Sequence, residues 1–452
     1  MAAERPTAAP PTLPTWGTKS RNYIARWWLG AYGLWPGVAQ RHPTLTRWKE
    51  TVLPDSLGMN MDWQRRLDRG RLARMREKIA AYDCGAGLFY DPINIRYATG
   101  TANMQVYGLH NPCRYAFVPV EGPVILFEFD GCEHLSVGCA AVDEVRTATS
   151  WYHFVSGPRA EEFAHIWCAE IMDLVRSHAA GSRRLAIDRI DPLGIHLLEQ
   201  NDIHIIDGFE VAHMARMIKT PEEIEAVRQS ISVCEEGLSR MIEASAPGST
   251  ESEIWSILHQ ANIELGGEWI ETRLLSSGPR TNPWYQEAGS RVIKAGDMIA
   301  VDTDLIGPHG YGADISRSWV AGDVAPTGDQ KTLYALAHEQ VEYNRELFVP
   351  GRSFFEIAEL ACQMPERYRG QQQPAIAHGS GLCNEFPLII HAEKIEAKGH
   401  DGILEPGMVV CDESYAGAEG GREGVKLEQQ ILVSADGPEL LSNIPFDDRL
   451  LA

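Results

Sequence analysis

The chain has 452 residues, 44% hydrophobic and 23% charged, and a formal net charge of −21. That length exceeds one ordinary core, so two domains are expected in a protein of globular composition. The acidic balance excludes a surface built for nucleic acid or anionic lipid, which needs Lys and Arg against phosphates, and no apolar run reaches the roughly 18 residues of a membrane span.

Residues 1–60 read as an N-terminal extension. The opening MAAERPTAAPPTLPTWG lacks the apolar segment of a signal peptide. ARWWLGAYGLW, further on, carries more aromatic surface than a free tail tolerates, which predicts packing on the body or on a partner subunit. Nine scattered cysteines without a C-x-x-C pair predict reduced thiols in a cytoplasmic protein.

Residues 61–210 are expected to form an α/β domain. MDWQRRLDRGRLARMREKIAAYDC reads as its opening helix, followed by strand-like AGLFY, RYAFVPV and GPVILFEF. A second helix, RAEEFAHIWCAEIMDLVRSH, precedes the strands RRLAIDRI and DIHIIDG. The next domain, 211–452, opens on a marked helix start. Thr220 is an N-cap, Pro221 occupies the first helical position and Glu223 completes a capping box. Ile224, Val227, Ile231, Leu238 and Met241 then recur at helical spacing, and Thr250 with Glu253 opens a second helix in the same way. Strand-rich sequence runs from there to the C-terminus, so this domain is α+β.

AVDTDLIGPHGYGADISRSW, residues 300–319, sets three carboxylates among apolar residues. Side chains at i and i+2 of a strand share a face, so Asp302 and Asp304 are expected to project together. GPHGYG supplies a turn, and Asp314 starts the returning strand. The ordinary reading of D-x-D is a solvated strand end. Met298, Ile299, Val301, Leu305, Ile306 and Trp319 argue against exposure of the whole hairpin, and buried unpaired carboxylates need cations or raised pKa values. His378 follows in IAHGSG, Glu413 in GMVVCDES, and Glu428 in GVKLEQQILV on the strand face of Lys426 and Gln430. Each alone reads as an ordinary surface or core residue. Together, five carboxylates and one imidazole suit a pair of divalent ions such as Fe, Mn, Co or Zn.

Asp…Asp…His…Glu…Glu in this order resembles the M24, or pita-bread, metallopeptidase superfamily of methionine aminopeptidases, prolidases and creatinases. RMIKTPEEIEAVR, SSGPRTNP, HGSG and GVKLEQQILVSADG carry the same likeness. It covers roughly residues 60–450 and implies a creatinase-like N-terminal domain before a pita-bread catalytic domain. It also implies that Asp302 or Asp304, with Asp314, His378, Glu413 and Glu428, holds two metal ions; we carry both aspartates as ligands. The doubled DTD, with GPRTNPW upstream, is most similar to the dimethylsulfoniopropionate lyase branch, whose members are metal-dependent, iron-preferring homodimers acting on a small molecule.

Two departures bear on chemistry. M24 peptidases use two further histidines to move protons. One position here falls at or beside Trp284 in SGPRTNPWY, and the other is Asn384 in HGSGLCNEFP. Losing both removes groups worth roughly 10²–10⁴-fold each, which disfavours peptide hydrolysis. The lyase branch has an aspartate general base where this chain has Asn384, which cannot accept a proton; Glu385 is adjacent. Trp284 and Tyr285 are candidates to face a sulfonium cation, whereas Trp151 and Tyr152 read as packing. The expected function is β-elimination of dimethyl sulfide. An Xaa-Pro dipeptidase-like hydrolase is the alternative, and a non-catalytic binding module the third, since such modules lose the ligands kept here.

Overall fold

The computed structural model describes residues 61–452, which form one compact body. The extension over 1–60, with its expected packing, lies outside the described residues. Helix α1 (Met61–Ala81) buries Leu67, Met75 and Ile79 and leads into β1 (Ala86–Phe89). Asp91 caps α2 (Pro92–Thr99) by accepting from the Ile93 N–H, and Gly100 stops it at φ 76°, a conformation that favours glycine. Next come β2 (Tyr115–Pro119), β3 (Ile125–Glu128) and β4 (Glu144–Thr147). They are followed by α3 (Ala160–His178), β5 (Arg184–Ile187), α4 (Pro192–Glu199) and β6 (His204–Asp207). The six strands form one sheet in the order β4-β3-β2-β1-β5-β6. The sheet is mixed, because β1 runs antiparallel to β2 and parallel to β5. Helix α5 (Gly208–Arg216) leaves its edge, capped by the Asp207 carboxylate, which accepts from the N–H groups of Phe209 and Glu210.

Both expected capping boxes form, at the starts of α6 (Pro221–Ala244) and α7 (Glu251–Glu264). Val227, Ile231, Leu238 and Met241 are buried along α6, as the helical spacing predicts. Six short strands follow: β7 (Trp269–Ile270), β8 (Leu275–Ser277), β9 (Met298–Val301), β10 (Leu305–Ile306), β11 (Gly312–Ala313) and β12 (Arg317–Val320). They make two three-stranded sheets, β11-β10-β7 and β12-β9-β8.

After α8 (Gly328–Arg345) and α9 (Phe354–Leu360) comes a five-stranded antiparallel sheet of order β14-β13-β15-β16-β17. Its strands are β13 (Ala375–Ser380), β14 (Asn384–Ile390), β15 (Val409–Gly417), β16 (Gly424–Ser434) and β17 (Gly437–Leu440). β15 is buried throughout and β16 up to its last residue. One face packs on α8, where Ser414 donates to Gln340 and Gln429 to the Val341 carbonyl. The other meets β12 and the segment before it: the Ser318 hydroxyl donates to the Lys426 carbonyl, and the Glu428 N–H to that of Ser316. The polar face of β16 is therefore interior, and the functional groups gather there.

Candidate metal centre

The aspartates converge by a route the pleat argument missed. Strand pairing is interrupted at 302–304, between β9 and β10, and at 314–316, between β11 and β12. Asp304 takes φ 38°, so Asp302 and Asp304 are not i and i+2 of one strand, and Asp314 precedes the returning strand instead of starting it. Thr303 knits the two breaks together. Its hydroxyl donates to the Ala313 carbonyl and accepts from the Ile315 N–H.

From the large sheet, β13 sets His378 opposite Cys411 of β15, and β15 sets Glu413 directly opposite Glu428 of β16. Like charges facing across a ladder repel, so this pairing calls for a cation. Ligand atoms of Asp314, His378, Cys411 and Glu428 lie within 4.8 Å of one another. The same holds for Asp302, Glu413 and Glu428, and for Asp302, Asp304 and Asp314. All six expected residues therefore meet in one centre, because the three groups share members.

His378 points the right atom inward. Its Nδ1 lies 3.0 Å from the Gly379 carbonyl, an acceptor, which leaves Nε2 free to ligate. Nε2 stands 3.5 Å from Glu413 and 3.6 Å from both Asp314 and Glu428. Glu428 Oε1 is buried with no hydrogen-bond partner among the described residues, a costly state that a cation relieves. This orphaned oxygen, in an oxygen-rich set with one imidazole, fits divalent metal ions held by Asp302, Asp304, Asp314, His378, Glu413 and Glu428.

Electrostatics record the crowding of negative charge. Burial, then Asp302, pushes the Asp304 carboxyl up to about 6. Burial also drives Asp314 well above the carboxylate range, with Asp304 and Glu428 adding to it. Burial alone would raise Asp302 and lower His378. Lys426 reverses the first, and the carboxylates of Glu428 and Glu413 reverse the second, holding the imidazole at about 9.

Several neighbours escaped the sequence reading. Lys426 is fully buried, with Nζ 2.7 Å from Glu428, 2.9 Å from Glu413 and 3.5 Å from Asp302. Its placement two residues before Glu428 on the same strand face was the available signal. Ser316 Oγ lies 2.8 Å from Asp302 and 2.7 Å from Glu428, the Thr272 hydroxyl donates to Asp304, and the Gln373 amide donates to Glu413. These three sit in irregular segments that no periodicity marks.

The four non-ligand candidates divide. Trp284 is 6% exposed, its indole packed with Ala300 and stacked 6.0 Å from Tyr415, so it offers no open face to a substrate. Tyr285 is exposed at 55%, and partial burial, with the charge of Glu413 adding to it, pushes its phenol up to about 12. Asn384 is exposed and lines a cleft of about 780 Å³ that His378 also lines. Glu385 is occupied elsewhere. Its carboxylate, fully buried, takes Arg216 Nε at 2.9 Å, Lys219 Nζ at 2.9 Å and the Leu382 N–H at 3.1 Å. Burial alone would raise its pKa, and Lys219 and Arg216 outweigh that and hold it below the usual range. A carboxylate so neutralised is a poor base, and the geometry gives Glu385 a structural place.

All nine cysteines are free, and no helix among the described residues is long and apolar enough to cross a membrane.

Residues 225–435 match metallopeptidase family M24. The chain is 39% identical over 399 residues to the dimethylsulfoniopropionate lyase DddP of Roseovarius nubinhibens, covering 87% of this chain and 90% of that one. An Xaa-Pro dipeptidase of Pyrococcus furiosus is 26% identical over 234 residues, covering 50% of this chain and 63% of that one. In fold, an Xaa-Pro dipeptidase from Bacillus anthracis superposes with a TM-score of 0.68 at 18% identity, over 84% of this chain and 99% of that one. With the lyase matched along nearly its whole length and the pita-bread architecture shared with prolidases, the chain belongs to metallopeptidase family M24.

Proposed function

We propose that this protein is a metal-dependent carbon–sulfur lyase that cleaves dimethylsulfoniopropionate, or a close sulfonium propionate, to dimethyl sulfide and acrylate. One observation carries the reading: the 39% identity to a dimethylsulfoniopropionate lyase runs over 87% of the chain. The complete ligand set and the two missing peptidase histidines agree with it. The chain's likeness to Xaa-Pro dipeptidases is weaker and covers about half of it.

In the elimination a base takes the α-proton, the Cα=Cβ bond forms, and the C–S electron pair leaves with sulfur. Bound divalent ions would supply Lewis-acid stabilisation of the charge developing on the substrate carboxylate. Asp302, Asp304, Asp314, His378, Glu413 and Glu428 would hold those ions, and Lys426 adds a fixed cation among them. Tyr285, exposed, is the expected aromatic that remains available to a substrate. Neither of the expected pair is suited to accept the proton, since the Asn384 amide is no base and Glu385 is held by two cations. The same reading takes the working protein as a cytoplasmic homodimer of two domains divided near residue 210, with an extension over 1–60. It takes iron as the metal, although Mn, Co or Zn would suit the same ligands.

The test uses Asn384→Asp, which returns a carboxylate to the cleft beside His378. Dimethyl sulfide release should rise above that of the parent at equal metal content. No release from either protein would remove the lyase reading.

A further inference from the structure

The cleft that carries Asn384 and His378 has a second wall, and that wall belongs to α5. Phe209, Glu210 and His213 line it, with Asp207 at the helix start. Phe386 and Leu388 of β14 line the cleft as well, with the Phe386 N–H bonded to His213. Three features set this wall apart from an ordinary groove.

The first is charge. Carboxylates line the cleft and, among the described residues, no Lys or Arg does; Arg216 and Lys219 are buried and spent on Glu385. The second is aromatic presentation. Phe209 is 36% exposed and stacks on His213, ring centroids 5.4 Å apart at 28°, so one face is backed and the ring is held in place. Of the two aromatics expected from sequence, Trp284 has no comparable exposure, and Tyr285 is exposed but is not among the residues lining this cleft. The third is neutrality of the backing ring. His213 Nδ1 accepts from the Phe386 N–H at 3.4 Å, and burial together with Arg216 lowers its pKa, so the imidazole adds no competing positive charge. Glu210 is fixed as well, accepting from the Tyr82 hydroxyl at 2.8 Å.

A sulfonium head has no hydrogen to donate. It is recognised by aromatic faces and by a field of negative charge. Its carboxylate end would be drawn to His378, which lines the same cleft and belongs to the candidate metal centre. We propose that Phe209, with Asp207 and Glu210, forms the cation-binding wall that selects an onium head group and sets which end of the substrate faces the metal ligands. This rests on the lyase reading for the substrate's identity, and on the cleft's own lining for its place.

The experiment measures KM and kcat for dimethylsulfoniopropionate, with tetramethylammonium and acrylate as inhibitors reporting the two ends separately. Phe209→Leu, at an exposed position, should raise KM and the tetramethylammonium inhibition constant roughly three- to thirty-fold, the range of a cation–π contact. The acrylate constant should move by less than about two-fold, well under that range. Phe209→Tyr should restore KM, and Glu210→Gln should weaken tetramethylammonium in the same direction. If KM and the tetramethylammonium constant do not move, or acrylate weakens equally, the wall is wrong while the lyase reading stands. If the parent releases no dimethyl sulfide, the lyase reading falls. Calorimetric binding of tetramethylammonium then judges the wall alone: saturable heat lost in Phe209→Leu supports it, and its absence overturns it.

Discussion

Replacing Glu385 with Gln separates a structural carboxylate from a catalytic one. Glu385 is fully buried between Arg216 and Lys219, each at 2.9 Å, and the side chains of both cations are almost fully buried. The amide keeps the shape and removes the charge, leaving two buried cations without their shared partner. Breaking a buried pair in this way costs about 3–5 kcal/mol. At roughly 2–4 °C per kcal/mol for mid-sized domains, and less for larger ones, melting should fall on the order of 5–10 °C. Metal content should stay at the parental level, and turnover should fall only as folded protein is lost. The double variant Glu385→Gln with Lys219→Met removes one stranded cation and should recover part of the stability, a coupling that a double-mutant cycle reads directly. The pH dependence follows from the depressed pKa: the carboxylate's contribution is complete above its unfolded value, about 4.3, and is lost as pH falls through the lower folded value. Differential scanning fluorimetry with metal analysis and a turnover assay makes the measurement. Full thermal stability with abolished turnover would refute this reasoning and return Glu385 to the role of base.

Two further outcomes follow from the centre itself. Lys426→Met removes the cation that lies among Asp302, Glu413 and Glu428, so the chelator-treated protein should lose stability while the melting difference between metal-loaded and chelated forms widens; an unchanged difference would show that Lys426 does not balance charge there. Asp314→Ala and His378→Ala should each lose at least one metal ion per chain by elemental analysis, and full occupancy in both would remove the ligand assignment.

The residues that gather in the candidate centre were legible because their chemistry overrides their surroundings. Acidic groups amid Met298, Ile299 and Val301 contradict a strand's own hydrophobic pattern, and such contradictions collect at functional sites. How they meet was not legible. Asp302 and Asp304 converge through paired strand interruptions and a left-handed Asp304, features of tertiary closure that no local period encodes. The ion pairs of Glu385 were not legible for a related reason: Arg216 and Lys219 lie far upstream, in a stretch whose visible signals were only a helix cap and an amphipathic face. Trp284 was offered to the substrate because an aromatic beside a motif carries no mark of burial; Tyr415 and Ala300 cover it from distant segments. In the first sheet, alternation of helix and strand announced the α/β class. The insertion of β1 between β2 and β5 depends on packing choices outside that pattern.

Metal-analysed protein incubated in parallel with dimethylsulfoniopropionate and with an Xaa-Pro dipeptide tests the central claim most directly. The account predicts dimethyl sulfide and acrylate in equal amounts from the first, lost in His378→Ala, and no free proline from the second. Proline release without dimethyl sulfide would contradict it and assign the metal centre to hydrolysis.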